Sequence, residues 1–163
     1  NSDDFFPKSD VISKVVESFS ESKTDIIFGN VVFVEQDNIF KKVRKINPNN
    51  FKPWKLRFGW MPPHPATFIK RTIYDGFGIY NKNYKSGADY EFFVRVLLRQ
   101  SQQYMHINKD LVHMRLGGTT TSGMSSYWRT SLEMVRSLRE NGYWANIIII
   151  LARLPIKYFR EKL

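Results

Sequence analysis

The chain reads as an α/β protein: a mixed sheet with flanking helices and two helices at its C-terminal end. Three observations point there. Residues 25–35 (DIIFGNVVFVE) are rich in β-branched and aromatic side chains, as a buried strand requires. Residues 88–100 place Phe92, Phe93, Val96 and Leu97 on one face of a helix. Strand-like and helix-like segments follow one another in mixed order along 163 residues, a length that fits one domain.

The elements follow from local chemistry. Ser9 is the expected cap of a helix running to about Ser20, with Val11, Ile12, Val15, Val16 and Phe19 on its buried stripe. The strand over 25–35 is expected to bulge at Gly29, and residues 42–46 to pair back on it. A turn-rich loop covers 47–53. Residues 60–65 (WMPPHP) carry three prolines in six positions, which removes donors and fixes the backbone, so no regular structure is expected. A short strand over 66–70, a short helix over 72–77 and a loop over 76–84 lead into the helix over 88–100. Residues 103–108 and 111–115 read as two short strands, and 116–126 as a Gly/Thr/Ser loop. Two helices, 125–140 and 143–162, close the chain, with Gly142 as the break.

Composition narrows the class. Apolar residues make up 42% and aromatics 15%, enough for a packed core. No cysteine is present, which excludes disulfides and Cys-ligated zinc and suits a reducing compartment. Nothing at the start resembles a signal peptide. The longest apolar run, 143–154, is interrupted by Asn146 and Arg153 and falls short of the ~20 residues that a spanning helix needs. The net charge of +10 admits nucleic acid, an anionic membrane surface or phosphorylated substrates. The basic residues are dispersed and no nucleic-acid-binding signature is present, so nucleic acid is the least favoured of the three.

Several residues carry candidate chemistry. Asp3 and Asp4, just before Phe5-Phe6-Pro7, form a hard-oxygen pair suited to Mg²⁺ or Mn²⁺. The plainer reading is a polar tail. An open α/β sheet carries its ligands beyond the carboxyl ends of strands, so this pair is expected to follow a strand that precedes Asn1. Asp89 lies in the first turn of its helix, on the inward side with Phe92 and Phe93, where a carboxylate can act as a general base. The plainer reading is a capping box, Ser86-x-x-Asp89. Glu91 is expected to face elsewhere. His64 sits in the rigid proline loop, as a substrate-positioning or a structural residue; His106 and His113, in strands, read as structural. Arg115, with the amides of Gly117 and Gly118, suits a phosphate or a plain hinge. The last segment sets Arg153, Lys157, Arg160 and Lys162 against Glu161, beside an apolar side from Tyr143, Trp144 and residues 147–151. It fits an anionic membrane surface or packing on protein.

Taken in order, Asn1-Ser2-Asp3-Asp4-Phe5, His64-Pro65-Ala66-Thr67-Phe68-Ile69-Lys70-Arg71, Gly87-Ala88-Asp89-Tyr90-Glu91-Phe92 and Arg115 to Thr119 resemble the second half of a family-2 inverting glycosyltransferase of the A-type fold, the bacterial cell-surface polysaccharide sort. Asn1 and Ala88 stand where many members carry a further acid. The resemblance implies a metal-dependent enzyme of the cytoplasm, at the inner face of the membrane. It implies a divalent cation at Asp3 and Asp4 on a nucleoside-diphosphate sugar, and Asp89 as the base on an acceptor hydroxyl of a saccharide or lipid-linked saccharide. Arg115, Gly117 and Gly118 would close over the diphosphate, and His64 and Trp60 would lie on the acceptor side. Residues 1–120 would be the metal and acceptor half of the catalytic domain, without its nucleotide-binding half, and 121–163 a helical extension. On that expectation the chain alone is inactive and self-associates. The competing expectation is a non-catalytic basic α/β module docking on a membrane or a partner.

Overall fold

The computed structural model describes residues 4–116 and 124–154. They are mixed α/β, and the chain weaves through two compact units. The first takes residues 4–50, Pro62–Ile73 and 102–116; the second takes Phe51–Met61, Tyr74–Ser101 and 124–154.

The first unit is built on one sheet. Its strands are β1 (Asp4–Phe5), β2 (Ile26–Val34), β3 (Lys42–Ile46), β4 (Thr67–Ile69) and β5 (Tyr104–Arg115). Their order is β1-β5-β2-β3, with β4 also on β2. β2 runs parallel to β5 and antiparallel to β3 and β4. This central strand is buried nearly throughout, which explains why its sequence is continuously apolar rather than alternating. α1 (Val11–Glu21) contributes Val11 and Val15 to a core with Val31, Leu111, Val112 and Ala66.

Several expectations change here. Asp10, not Ser9, stands at the start of α1, and it makes no side-chain cap; its carboxylate pairs with Lys14 at 2.5 Å. Ile12 and Val16 are exposed, so the buried stripe of α1 is the narrower set Val11, Val15 and half-buried Phe19. The two strands expected over 103–115 are one strand. Chain continuity survives there because the irregularity is absorbed as a bulge. Between the pairs Phe28↔His106 and Asn30↔Asp110, β2 spends Gly29 alone while β5 spends Ile107, Asn108 and Lys109. Leu111 is then a further unpaired residue before Val31↔Val112.

Gly29 is required by this crowding. A Cβ there would lie 2.5 Å from Leu111 Cδ1 and 2.9 Å from the Lys109 carbonyl oxygen. Asn30, fully buried, fixes the bulge from the next position. Its Nδ2 donates to Asn108 Oδ1 at 3.1 Å and to Asp110 Oδ1 at 3.3 Å. Its Oδ1 lies 3.3 Å from His106 Nε2, which therefore carries the hydrogen. Lys45 Nζ reaches Asp110 at 2.6 Å. Burial alone would raise the Asp110 carboxyl, but the bonds from Lys45 and Asn30 and the charges of Lys45 and Lys42 outweigh it and hold it low.

In the second unit, α3 (Ala88–Phe93) continues as a π-helical segment, Val94–Arg99. This run is buried almost all round: Tyr90, Glu91, Phe92, Phe93, Val94, Val96 and Leu97 are inside. α2 (Arg71–Phe77) leads into the loop before it. α4 (Met124–Glu140) ends in the motif the sequence anticipates. Gly142 has φ +88°, with Tyr143 N–H on the Leu138 carbonyl at 2.8 Å and Gly142 N–H on that of Arg139 at 3.0 Å. The last helix starts later than expected, as α5 (Ile147–Leu151), because the Asn146 side chain accepts the Ile148 N–H at 2.8 Å and caps it. The remainder of the expected final helix lies outside the described residues.

Gly29→Ala is expected to destabilise the fold by about 1–3 kcal/mol, the usual range for overpacking a core. Urea unfolding measures it, and an unchanged midpoint would show that the bulge has room to spare.

Candidate functional site

The first unit holds a cavity of about 440 Å³ lined by Asp4, Phe5, Phe6, His64, Pro65, Thr67 and Val112. Asp4 and Phe5 reach it because β1 pairs with the far end of β5, Asp4 opposite Met114 and Phe5 opposite His113. His64 reaches it through a single 3₁₀ turn, His64–Ala66, where the expectation was no regular structure. That turn is held by Ala66 N–H and Thr67 Oγ1, both donating to the Pro63 carbonyl at 3.0 Å. Proline at the first turn costs nothing there, because those N–H groups would have no partner within the helix. Phe6 stacks on Phe68 at 6.3 Å, fastening the segment after β1 to β4.

One expected metal ligand and one expected acceptor-side residue thus share a cavity wall. Arg115 ends β5 beside them, its guanidinium 5.6 Å from the centre of the Phe5 ring, and it is exposed. The ring of His113 meets Phe5 edge-on at 5.5 Å. Burial, with Lys42 assisting and Asp110 opposing, keeps His113 below the ordinary histidine pKa; burial does the same to His106. His106 bonds to Asn30 and His113 packs on Phe5. Asp3, Gly117 and Gly118 lie outside the described residues. Among those described, no group of three or more His, Asp or Glu side chains could hold a metal.

Asp89 and Trp60 belong to the second unit. Trp60 is half-buried and follows a left-handed Gly59 (φ +77°), its N–H on the Lys55 carbonyl at 3.2 Å. Asp89 sits in the first turn of α3, half-buried, with Oδ1 accepting the Tyr90 N–H at 2.8 Å. Nearby, Tyr74 and Tyr80 both pack on the Phe92 ring, at 5.1 and 5.0 Å. Burial pushes the Tyr80 hydroxyl up, and Tyr74 and the negative charge of Asp89 add to the effect.

The capping box does not form. Gly87 stands at the N-cap position and has no side chain with which to cap the helix. A carboxylate from α4 takes the role instead. Glu133 accepts the N–H groups of Lys85 at 3.0 Å, Ser86 at 2.8 Å and Gly87 at 2.7 Å. Burial would raise the Glu133 carboxyl, but the amides of Ser86, Lys85 and Gly87, with Arg129 nearby, outweigh it and hold it below its ordinary 4.5. A Cβ on Gly87 would come within 3.2 Å of the Glu133 Cβ, so glycine lets the two segments close.

Glu91, expected to face away from Asp89, has a partner of its own. It is buried and forms a two-pronged pair with Arg95, Nε to Oε1 at 2.9 Å and Nη2 to Oε2 at 3.0 Å. The same guanidinium donates to the carbonyls of Phe77, Gly78 (3.2 Å) and Ile79 (2.9 Å), which ties the loop after α2 to the helix that carries Asp89. The i, i+4 spacing of Glu91 and Arg95 was a visible signal for this pair. For Glu133 there was none, since it acts 46 residues away from Gly87.

No known family model matches this chain, and no curated protein matches it.

Removing the Glu133 carboxylate by Glu133→Ala leaves three amides without their acceptor and is expected to cost about 1–2 kcal/mol in chemical unfolding. Because the folded-state carboxyl lies below 4.5, this contribution is complete above that pH and fades as pH falls through the lowered value. A variant matching the wild type at neutral pH would refute the cap.

Proposed function

We propose that the chain is the metal- and acceptor-side part of an inverting glycosyltransferase of the A-type fold, moving a sugar from a nucleoside-diphosphate donor to an acceptor hydroxyl in cell-surface polysaccharide synthesis. The observation that carries this reading is the cavity of the first unit. There the acidic end of β1 and the histidine of the proline loop, two segments named from separate motifs, line the same space.

A divalent cation fits what is present. Mg²⁺ and Mn²⁺ take hard oxygens and are commonly held by one or two carboxylates, with substrate phosphate and water completing the shell. Asp4 offers one such carboxylate at a cavity with room for phosphate oxygens. When bound, the ion supplies neutralisation of the charge that gathers on the leaving diphosphate. Asp4 would hold it, with Asp3 beside it in sequence. His64, on its short turn, would donate to or accept from the sugar hydroxyls, and Phe5 and Phe6 would keep water from that side.

Asp89 is the proposed base. Asp89 takes the proton of the acceptor hydroxyl as its oxygen forms a bond to the anomeric carbon. The bond from that carbon to the diphosphate oxygen breaks on the opposite face, and the diphosphate leaves with the electron pair. A fixed base is worth about 10²–10⁴-fold in rate. The Glu133 cap and the Arg95 clamp serve this role by holding the first turn of α3 and the loop before it rigid.

Asp89→Asn in the intact protein should lower sugar transfer by about 10²–10⁴-fold while donor affinity stays near wild type; near-normal turnover would remove Asp89 from the base role. Asp4→Ala should weaken Mn²⁺-dependent binding of a nucleoside diphosphate in calorimetry, a readout independent of turnover. Binding that is equally tight in that variant, or that needs no metal in the wild type, would overturn the metal site.

A further inference from the structure

We propose that the aromatic and basic face of the second unit, formed by residues 52–58 and 143–148, docks on an anionic lipid bilayer. This goes beyond the sugar-transfer reading and does not depend on it.

The face begins with a 3₁₀ helix, Pro53–Phe58. Leu56 is fully buried and anchors it, and the Tyr90 hydroxyl donates to the Leu56 carbonyl. On the outer side Trp54 and Phe58 stand 56% and 44% exposed, their rings edge-to-face at 5.8 Å. The second strip follows Gly142. Trp144 is 68% and Ile148 72% exposed, although their neighbours Ala145 and Ile150 are buried. The two strips are joined. The Arg57 guanidinium lies 5.9 Å over the Tyr143 ring, and Tyr143 is itself fixed by its hydroxyl on the Leu98 carbonyl at 3.0 Å. Arg153 reaches from beyond α5 to the Gly59 carbonyl at 2.6 Å.

That last contact revises the sequence expectation. Arg153 is not part of a free basic face; burial lowers its pKa, and its charge is spent holding the two strips together. The cations of the face come instead from the 3₁₀ segment. Lys52 and Arg57 are exposed, and Lys55 lies half-buried over the Trp54 ring at 5.8 Å. Residues 51–61 and 143–154 contain no Asp or Glu at all.

Four large apolar side chains held outward on anchored backbone mark an interaction surface. Its chemistry selects the partner. Tryptophan favours the boundary between lipid headgroups and acyl chains, and Lys and Arg extend past apolar surface to reach headgroup phosphates. Basic residues near an anionic leaflet are attracted to it electrostatically. A second copy of the chain is a poor fit, because a two-fold pairing would set this acid-free basic face against itself. No helix among the described residues is long and apolar enough to cross a membrane.

The test is flotation of the whole chain with phosphatidylcholine vesicles, with and without phosphatidylglycerol. Binding is expected only to vesicles containing phosphatidylglycerol. It should weaken as salt rises and be accompanied by a blue shift of tryptophan emission. Trp54→Ser/Trp144→Ser and, separately, Lys52→Glu/Arg57→Glu should each lower affinity by about tenfold or more, which is about 1.4 kcal/mol. These positions are exposed, so both variants should keep the wild-type unfolding midpoint; if one does not, Trp144→Ser alone takes its place. No vesicle binding, equal binding to both vesicle types, or binding unchanged in both variants would overturn the proposal. So would light scattering that shows a dimer broken by the same variants and no vesicle binding, which would assign the face to a second copy.

Discussion

The buried amide of Asn30 is the constraint on which the first unit depends. β2 and β5 pair in parallel, yet their spacing slips twice within a few residues. The first slip is of two residues and keeps the faces; the second, of one residue, exchanges them for every side chain beyond it. Asn30 binds the slipped segment from both ends of its amide, to Asn108 and Asp110 on one side and His106 on the other. Those contacts set which residues of β5 face α1 after the bulge. Beyond the bulge β5 carries His113 and Met114, on which β1 pairs to bring Phe5 and Asp4 to the cavity wall.

The second unit uses buried charge for a related purpose. Glu91 and Arg95 would be costly inside if either were alone, and removing one partner of a buried pair is more harmful than never having had it. Here the guanidinium satisfies a carboxylate and three backbone carbonyls at once. Glu133 does the reverse, placing one carboxylate on three amides. Between them, the loop before α3 and its first turn lose most of their freedom. Charge on the outside of this unit is arranged differently. On the face of Trp54 and Trp144 the cations surround apolar groups instead of pairing with acids, and Arg153 is withdrawn inward to hold the surface together.

Much of this was visible in the residues alone. The apolar run of β2, the return of β3 and the break at Gly142 each follow from local preference, and each is found in place. So is the position of Asp89 on the first turn of α3. Two of the errors have a common form. Ser86 and the break within β5 are read from neighbours in sequence, whereas the deciding partners are distant; for Ser9 the deciding pair lies within one turn. Asp10 turns to Lys14 rather than to the helix start, Glu133 displaces a local cap, and Asn30 carries β5 through its bulge. Ile12 and Val16 fit an apolar stripe by spacing, but α1 buries only the edge that meets Val31 and Val112.

The sequence by itself determined the kinds of element and the residue types that could do chemistry, because those depend on side-chain shape, backbone preference and charge within a few residues. Only the tertiary structure decided which of those residues meet. That Asp4 shares a cavity with His64, that Arg153 is a strut rather than a headgroup ligand, and that Trp54 and Trp144 lie outward on joined strips all rest on contacts across tens of residues. Such contacts are set by packing and by the satisfaction of buried polar groups, which no local pattern encodes.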